Sequence, residues 1–277
     1  MLAEILTLTI DMLFAAVGIG VVAVQLARRR GLPAVRVGPT ATWLELVLTA
    51  GALAVAAVGP NVLVFALTPG MPGMPVLVRY ALVPSLLLFG VVWTTAARLD
   101  QRRLANRIWV GLWVGAAATG LLDAIRLTGF QLGWMPGNMP RMFGVLIVDR
   151  MALGPSLGSD ILGYLYHYWV GGCFGLTYTL LLGRFRWWGG LVWGLIIEVG
   201  MMVTPPMVVA MDTGYFGVKF GPGLFATSLV AHVAYGVALG LLAERYVVHR
   251  ETLFGLLRDR FGHHLVAAAP QVTRSAR

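Results

Sequence analysis

Three ionisable side chains stand deep inside sequence that is otherwise apolar: His167, Glu198 and His232. An ionisable group in hydrocarbon costs roughly 2.5–3.5 kcal/mol at the centre of an inserting helix, so each of these positions demands a structural or chemical reason. Imidazoles ligate metals or haem and carry protons, and a carboxylate supplies countercharge or a further ligand. The two histidines occur in one repeated pattern, His167-Tyr-Trp-Val-Gly171-Gly-Cys-Phe-Gly175 and His232-Val-Ala-Tyr-Gly236-Val-Ala-Leu-Gly240. At ~1.5 Å per residue, His167 lies about 12 Å and His232 about 15 Å beyond the start of its apolar stretch. Glu198 falls near the middle of the stretch between them. These matched depths predict one intramembrane site formed by His167, His232 and Glu198. Asp160, nearly two turns before His167, shares its face and is placed to orient the ring or take its proton. Cys173 lies about 240° round the same helix and reads as a small packing residue.

Two further features bear on what such a site would hold. Thr204-Pro205-Pro206 follows Glu198 by less than two turns. The two prolines remove amide donors, so Pro205 and Pro206 predict a broken helix beside a buried carboxylate, an arrangement that exposes backbone oxygens in many transporters. Eight of the twelve methionines, Met135, Met139 and Met142 among them, fall in the same set of loops and helix ends. Thioethers are soft ligands that favour Cu(I). The leading expectation is therefore a protein of metal handling or transport, with a copper ion met first by the methionines and then by His167, His232 and Glu198. A second expectation is an electron-transfer subunit in which His167 and His232 ligate one haem b. A third is a non-catalytic accessory subunit of a larger membrane complex, or a homo-oligomer, whose polar residues only join helices.

The elements that position these residues are seven apolar stretches, near 2–26, 41–67, 76–97, 108–129, 159–183, 187–211 and 222–243. Each exceeds the ~20 residues that cross a ~30 Å hydrocarbon core as a helix. Sixteen of the 21 basic residues lie in the gaps after the first, third, fifth and seventh stretches. Basic residues stay cytoplasmic, so the pattern predicts an all-α polytopic membrane protein of seven transmembrane helices, N-terminus outside and C-terminus cytoplasmic, in a bacterial inner membrane. The first stretch lacks a basic leader and a small-residue cleavage site and reads as a retained helix. The expected organisation is a three-helix segment over 1–107, two helical hairpins over 108–244 with a tandem-repeat pattern, and a basic cytoplasmic tail over 245–277. Met142–Leu153 reads as a short amphipathic segment at the interface.

With 58% hydrophobic and 12% charged residues, the chain has no room for a sizeable soluble domain. Its net charge of +9 sits in short loops and the tail, where it meets lipid headgroups rather than nucleic acid. A single cysteine excludes an intramolecular disulfide. Glu4, Asp11, Gly18 and Gln25 recur every seven residues and predict a polar stripe facing protein in the first helix. Asp123 and Arg126, three apart, are expected to neutralise each other. Retinal-binding rhodopsins also have seven helices but need a lysine in the last one, and the only lysine here is Lys219, before it. His232-x-x-x-Gly-x-x-x-Gly resembles the last catalytic helix of rhomboid proteases, but its spacing after the histidine differs by one residue, and Ser156 stands in a Pro/Gly loop, not in their serine motif. The last four helices resemble uncharacterised bacterial inner-membrane proteins with a His-x-x-x-Gly helix, a resemblance over half the chain that implies no activity.

Overall fold

The computed structural model describes residues 2–28, 31–35 and 38–267, with side chains described from residue 8 to residue 262. Among them are long helices and no sheet: α1 Leu2–Ala27, α2 Trp43–Ala66, α3 Met74–Arg98, α4 Arg102–Gln131, α5 Met139–Ile147, α6 Leu157–Leu182, α7 Trp187–Val203, α8 Pro222–Tyr246 and α9 Leu253–Ala267. Five of these, α1, α2, α3, α4 and α8, are long and apolar enough to cross a membrane, so the chain is a multi-pass membrane protein. The other two long helices depart from that standard for local reasons. α6 has the length, but Asp160, His167 and its glycines and tyrosines dilute its apolarity. α7 is apolar but stops after 17 residues.

Local chemistry sets the helix ends. Thr42 caps α2 by accepting the Glu45 amide at 3.0 Å. Ser156 and Ser159 form a reciprocal capping box at the start of α6, so Ser156 serves as a helix cap. α3 widens into a π turn over Val78–Leu82, where Pro84 removes an amide and would clash with the carbonyl one turn back. At Thr204 the backbone becomes extended and α7 ends; a π turn over Pro206–Ala210 follows, as the paired prolines predict. The amphipathic segment expected at Met142–Leu153 is a helix three residues earlier, because Asn138 caps it and Pro140 occupies its first turn. The tail does not continue α8: Val247 is extended, Val35 pairs with His249, and α9 starts afresh at Leu253. The end of the expected basic tail, residues 268–277, lies outside the described residues.

α4 is the central helix, packed against α6, α8 and α1. Its most apolar window is 61% buried and that of α8 56%, against 17% for α3, so α4 and α8 form the middle and α3 the periphery. α2 packs on α6 and α3, α5 on α6, and α7 on α8. The polar stripe of α1 does face protein: Asp11 is buried, Gly18 abuts Gly120 of α4, and the Gln25 side chain accepts from the Tyr246 hydroxyl at 2.7 Å. The Glu4 side chain lies outside the described residues. At the arginine-rich end, Arg103 holds Glu45 through two bonds of 2.6 and 2.7 Å, both side chains buried.

Candidate functional site

The glycine patterns bring helices together in two hairpins that share one contact geometry. A Cβ on Gly115 of α4 would meet Gly175 Cα at 2.9 Å and the carbonyl of Gly171 on α6. A Cβ on Gly190 of α7 would meet Gly240 Cα at 2.5 Å and the carbonyl of Gly236 on α8. Gly115 therefore corresponds to Gly190, whereas aligning Gly111-Leu-Trp-Val-Gly115 with Gly190-Leu-Val-Trp-Gly194 by sequence would set Gly111 against Gly190. Gly111 sits one turn further along, against Leu176 and Thr179. With the register set by contact, Asp123 stands eight residues after Gly115 and Glu198 eight residues after Gly190. Each hairpin thus carries an acid on its first helix and a histidine on its second.

Those acids and histidines are paired. His167 Nε2 lies 2.9 Å from Asp123 Oδ1. His232 Nδ1 lies 2.7 Å from Glu198 Oε2, which also accepts the Ser228 hydroxyl at 2.7 Å. The same His232 nitrogen is 2.9 Å from the Ser228 carbonyl. All four paired side chains are nearly inaccessible. The expected partnership of Asp160 with His167 is replaced by Asp123, because α4 crosses α6 closely at the glycines and presents its acid first. Asp160 instead faces Arg141, 4.0 Å away. Asp123 and Arg126 do interact as charges, as their spacing predicts, but no hydrogen bond joins them. Asp123 Oδ1 goes to the imidazole, and Arg126 Nε and Nη2 are buried without a hydrogen-bond partner.

Both histidines and Arg126 line one cavity of about 360 Å³, enclosed by α2, α4, α5, α6, α7 and α8. The rest of its wall is mostly apolar, with Leu122, Phe143, Val170, Phe174, Ile197 and Tyr235 among the lining residues. Trp193 lines it too, held by a 3.1 Å bond from its indole N–H to the Phe174 carbonyl. Asn61 of α2 and Ile196 and Gly200 of α7 line the cavity and are also exposed on the outside of the bundle. α2 and α7 make no substantial packing contact, so the cavity reaches the bundle surface between them. The formal charge of the polar groups is one negative with both imidazoles neutral: Asp123 and Glu198 against Arg126. Arg126 is within electrostatic range of both acids.

The methionines are arranged differently from a water-facing capture surface. Met135 and Met139 are buried with Met74, Met202 and Met207 in one apolar cluster, against which Met142 packs. The reason is the close approach of α5 to α6, where a Cβ on Gly163 would meet the Gly144 nitrogen at 2.8 Å. That contact turns this face of α5 inward. Met139 alone of the three lines the large cavity. No group of three or more His, Cys, Asp or Glu side chains is clustered closely enough to hold a metal ion among the described residues.

At the α5 end a second polar group escaped sequence reasoning. Asp11 accepts from Tyr164 at 2.8 Å, Arg141 at 2.7 Å and Asn138 at 3.1 Å. These residues come from α1, α5 and α6, with no spacing to link them. The eight-residue offset of Asp123 from Gly115 equals that of Glu198 from Gly190 only in the register that contact sets, so sequence spacing alone did not single Asp123 out. The chain matches no protein-family description, no curated protein and no solved structure.

Proposed function

We propose that this chain is a seven-span inner-membrane protein, arginine-rich end in the cytoplasm, that binds a single-chain organic anion from the bilayer together with protons. The observation that carries the reading is Arg126. A buried guanidinium with two unpartnered nitrogens on the wall of a cavity is a donor awaiting an acceptor. The apolar remainder of the wall suits a hydrocarbon body, and the gap between α2 and α7 suits arrival from lipid. Charge supplies the coupling. The site carries one net negative charge with neutral imidazoles and one net positive charge when His167 and His232 are both protonated, so an anion is favoured only as the histidines take up protons. Two equivalent acid–histidine pairs on two equivalent hairpins fit a proton-linked carrier that exposes one site in turn to either side.

Decanoate is a suitable probe. Calorimetry of the purified protein in nanodiscs, in buffers of different ionisation enthalpy, should show binding with proton uptake and tighter binding as pH falls. Arg126→Gln should weaken it by about 10–100-fold, the ~1.5–3 kcal/mol of a hydrogen bond to a charged group. An unchanged affinity in Arg126→Gln overturns the reading.

A copper site is a second reading, favoured by one observation: Met139 and both imidazoles line the same cavity, and each imidazole is oriented by a carboxylate, as metal-bound histidines commonly are. It expects Cu(I) binding that Met139→Leu weakens. Visible absorption of the same preparation reads out haem.

A further inference from the structure

Between the large cavity and the Asp11 cluster lies a second void, of about 10 Å³, lined by Asp123, Arg126, Asn138 and Tyr164 together with apolar neighbours. That is the space one water centre needs. A buried water also needs two to four polar partners, and they are present. Asp123 Oδ2 is buried with no hydrogen bond, and Tyr164 and Asn138 line the void with it. Beyond Tyr164 the polar chain continues to Asp11 at 2.8 Å and to Arg141, whose side chain is 23% exposed. Beyond Asp123 it continues to His167 on the wall of the large cavity.

We propose that one water in this void completes a proton path from the Asp11–Arg141 cluster at the α5 end, through Tyr164 and Asp123, to His167. The path deepens the proton-linked reading of the cavity and rests on it for its purpose. Each transfer moves one proton and leaves every relay atom with its ordinary valence. When Asp11 holds a proton, the Tyr164 hydroxyl that donates to its carboxylate turns to the water; the Asp11 proton then passes to the Tyr164 oxygen as the hydroxyl gives its own hydrogen to the water, and the water gives one to Asp123. At the end Asp11 holds one proton fewer and the Asp123–His167 pair one more. The charged and titratable groups facing this path are Asp11 from α1, Asp123 and Arg126 from α4, Arg141 from α5, and Asp160, Tyr164 and His167 from α6. Glu198 and His232 stand apart on the second hairpin, and neither lines this void. The inference is therefore asymmetric: His167 exchanges protons with the α5 end and His232 does not.

Nitrogen-15 NMR of histidine-labelled protein in nanodiscs, without ligand, gives the proton-exchange rate of each ring, the two being assigned by signal loss in His167→Asn and His232→Asn. Tyr164→Phe conserves the packing of a fully buried ring stacked on Phe14 at 4.9 Å. It should slow exchange at His167 by about tenfold or more, leave His232 unchanged, and leave decanoate affinity unchanged. Unaltered exchange at His167, or equal slowing at both rings, overturns the path. If Tyr164→Phe does not fold, Asp11→Asn carries the same two outcomes. Because exchange is read without ligand, failure of decanoate to bind the unmodified protein counts against the proposed function, while the NMR rates alone decide the path.

Discussion

Replacing Gly190 by alanine probes the contact on which the second acid–histidine pair depends. The added methyl would lie 2.5 Å from both Gly240 Cα and Gly240 N, backbone atoms that no rotamer change can move. Ordinary contact begins near 3.4 Å, so α7 and α8 must part by about 1 Å. Overpacking of this kind costs ~1–3 kcal/mol, and the close approach of small residues is what holds membrane helices together. Separation also stretches the 2.7 Å link between Glu198 and His232, eight residues along α7. Gly20→Ala is the matched control: its Cβ meets nothing within 4 Å, and alanine is ~1 kcal/mol the better helix former. Thermal unfolding in one detergent should show Gly190→Ala less stable than the unmodified protein and Gly20→Ala equal or more stable. Gly115→Ala should behave as Gly190→Ala does, since its Cβ meets Gly175 Cα at 2.9 Å. Equal unfolding midpoints for Gly190→Ala and Gly20→Ala would refute the argument, because the helices would then not be in backbone contact.

Removing Arg103 alone, as Arg103→Met, strands the buried Glu45 carboxylate and should cost ~3–5 kcal/mol, while the double change with Glu45→Leu should recover most of it; chemical denaturation reads both. Burial holds the His249 imidazole below its ordinary value of 6.5, opposed by Glu251 and reinforced by Arg103 and Arg107. The unfolded chain therefore binds the proton more readily, so this stability is present above about pH 6.5 and is lost as pH falls toward the folded value. His249→Gln should flatten that acid-side drop in the unfolding midpoint, and an unchanged pH profile would refute it. Reporter fusions after Arg103, Arg186 and Arg260 should report cytoplasm, and those near Gly73, Asn138 and Gly214 the outside; one on the wrong side breaks the seven-span arrangement.

Much of the scaffold was legible because its signals are local. Apolar runs long enough to span hydrocarbon mark the helices, paired prolines end α7, and glycines at four-residue spacing mark faces that allow backbones to touch. His167, His232 and Glu198 stood out because an ionisable group is costly in apolar sequence wherever its partner lies. The partners themselves were not legible. Asp123 and Arg126 look like a neutral pair at three-residue spacing, and only the crossing of α4 on α6 gives the acid to His167 and leaves the guanidinium on a cavity wall. Asp160 shares a helix face with His167 yet faces Arg141, because α5 folds over that end. The methionines of α5 look like exposed loop residues until the contact of Gly144 with Gly163 turns them inward. A sequence states the cost of burying a group through the chemistry of one residue. Which neighbour offsets that cost depends on how helices far apart in the chain cross, and this the tertiary structure alone decides.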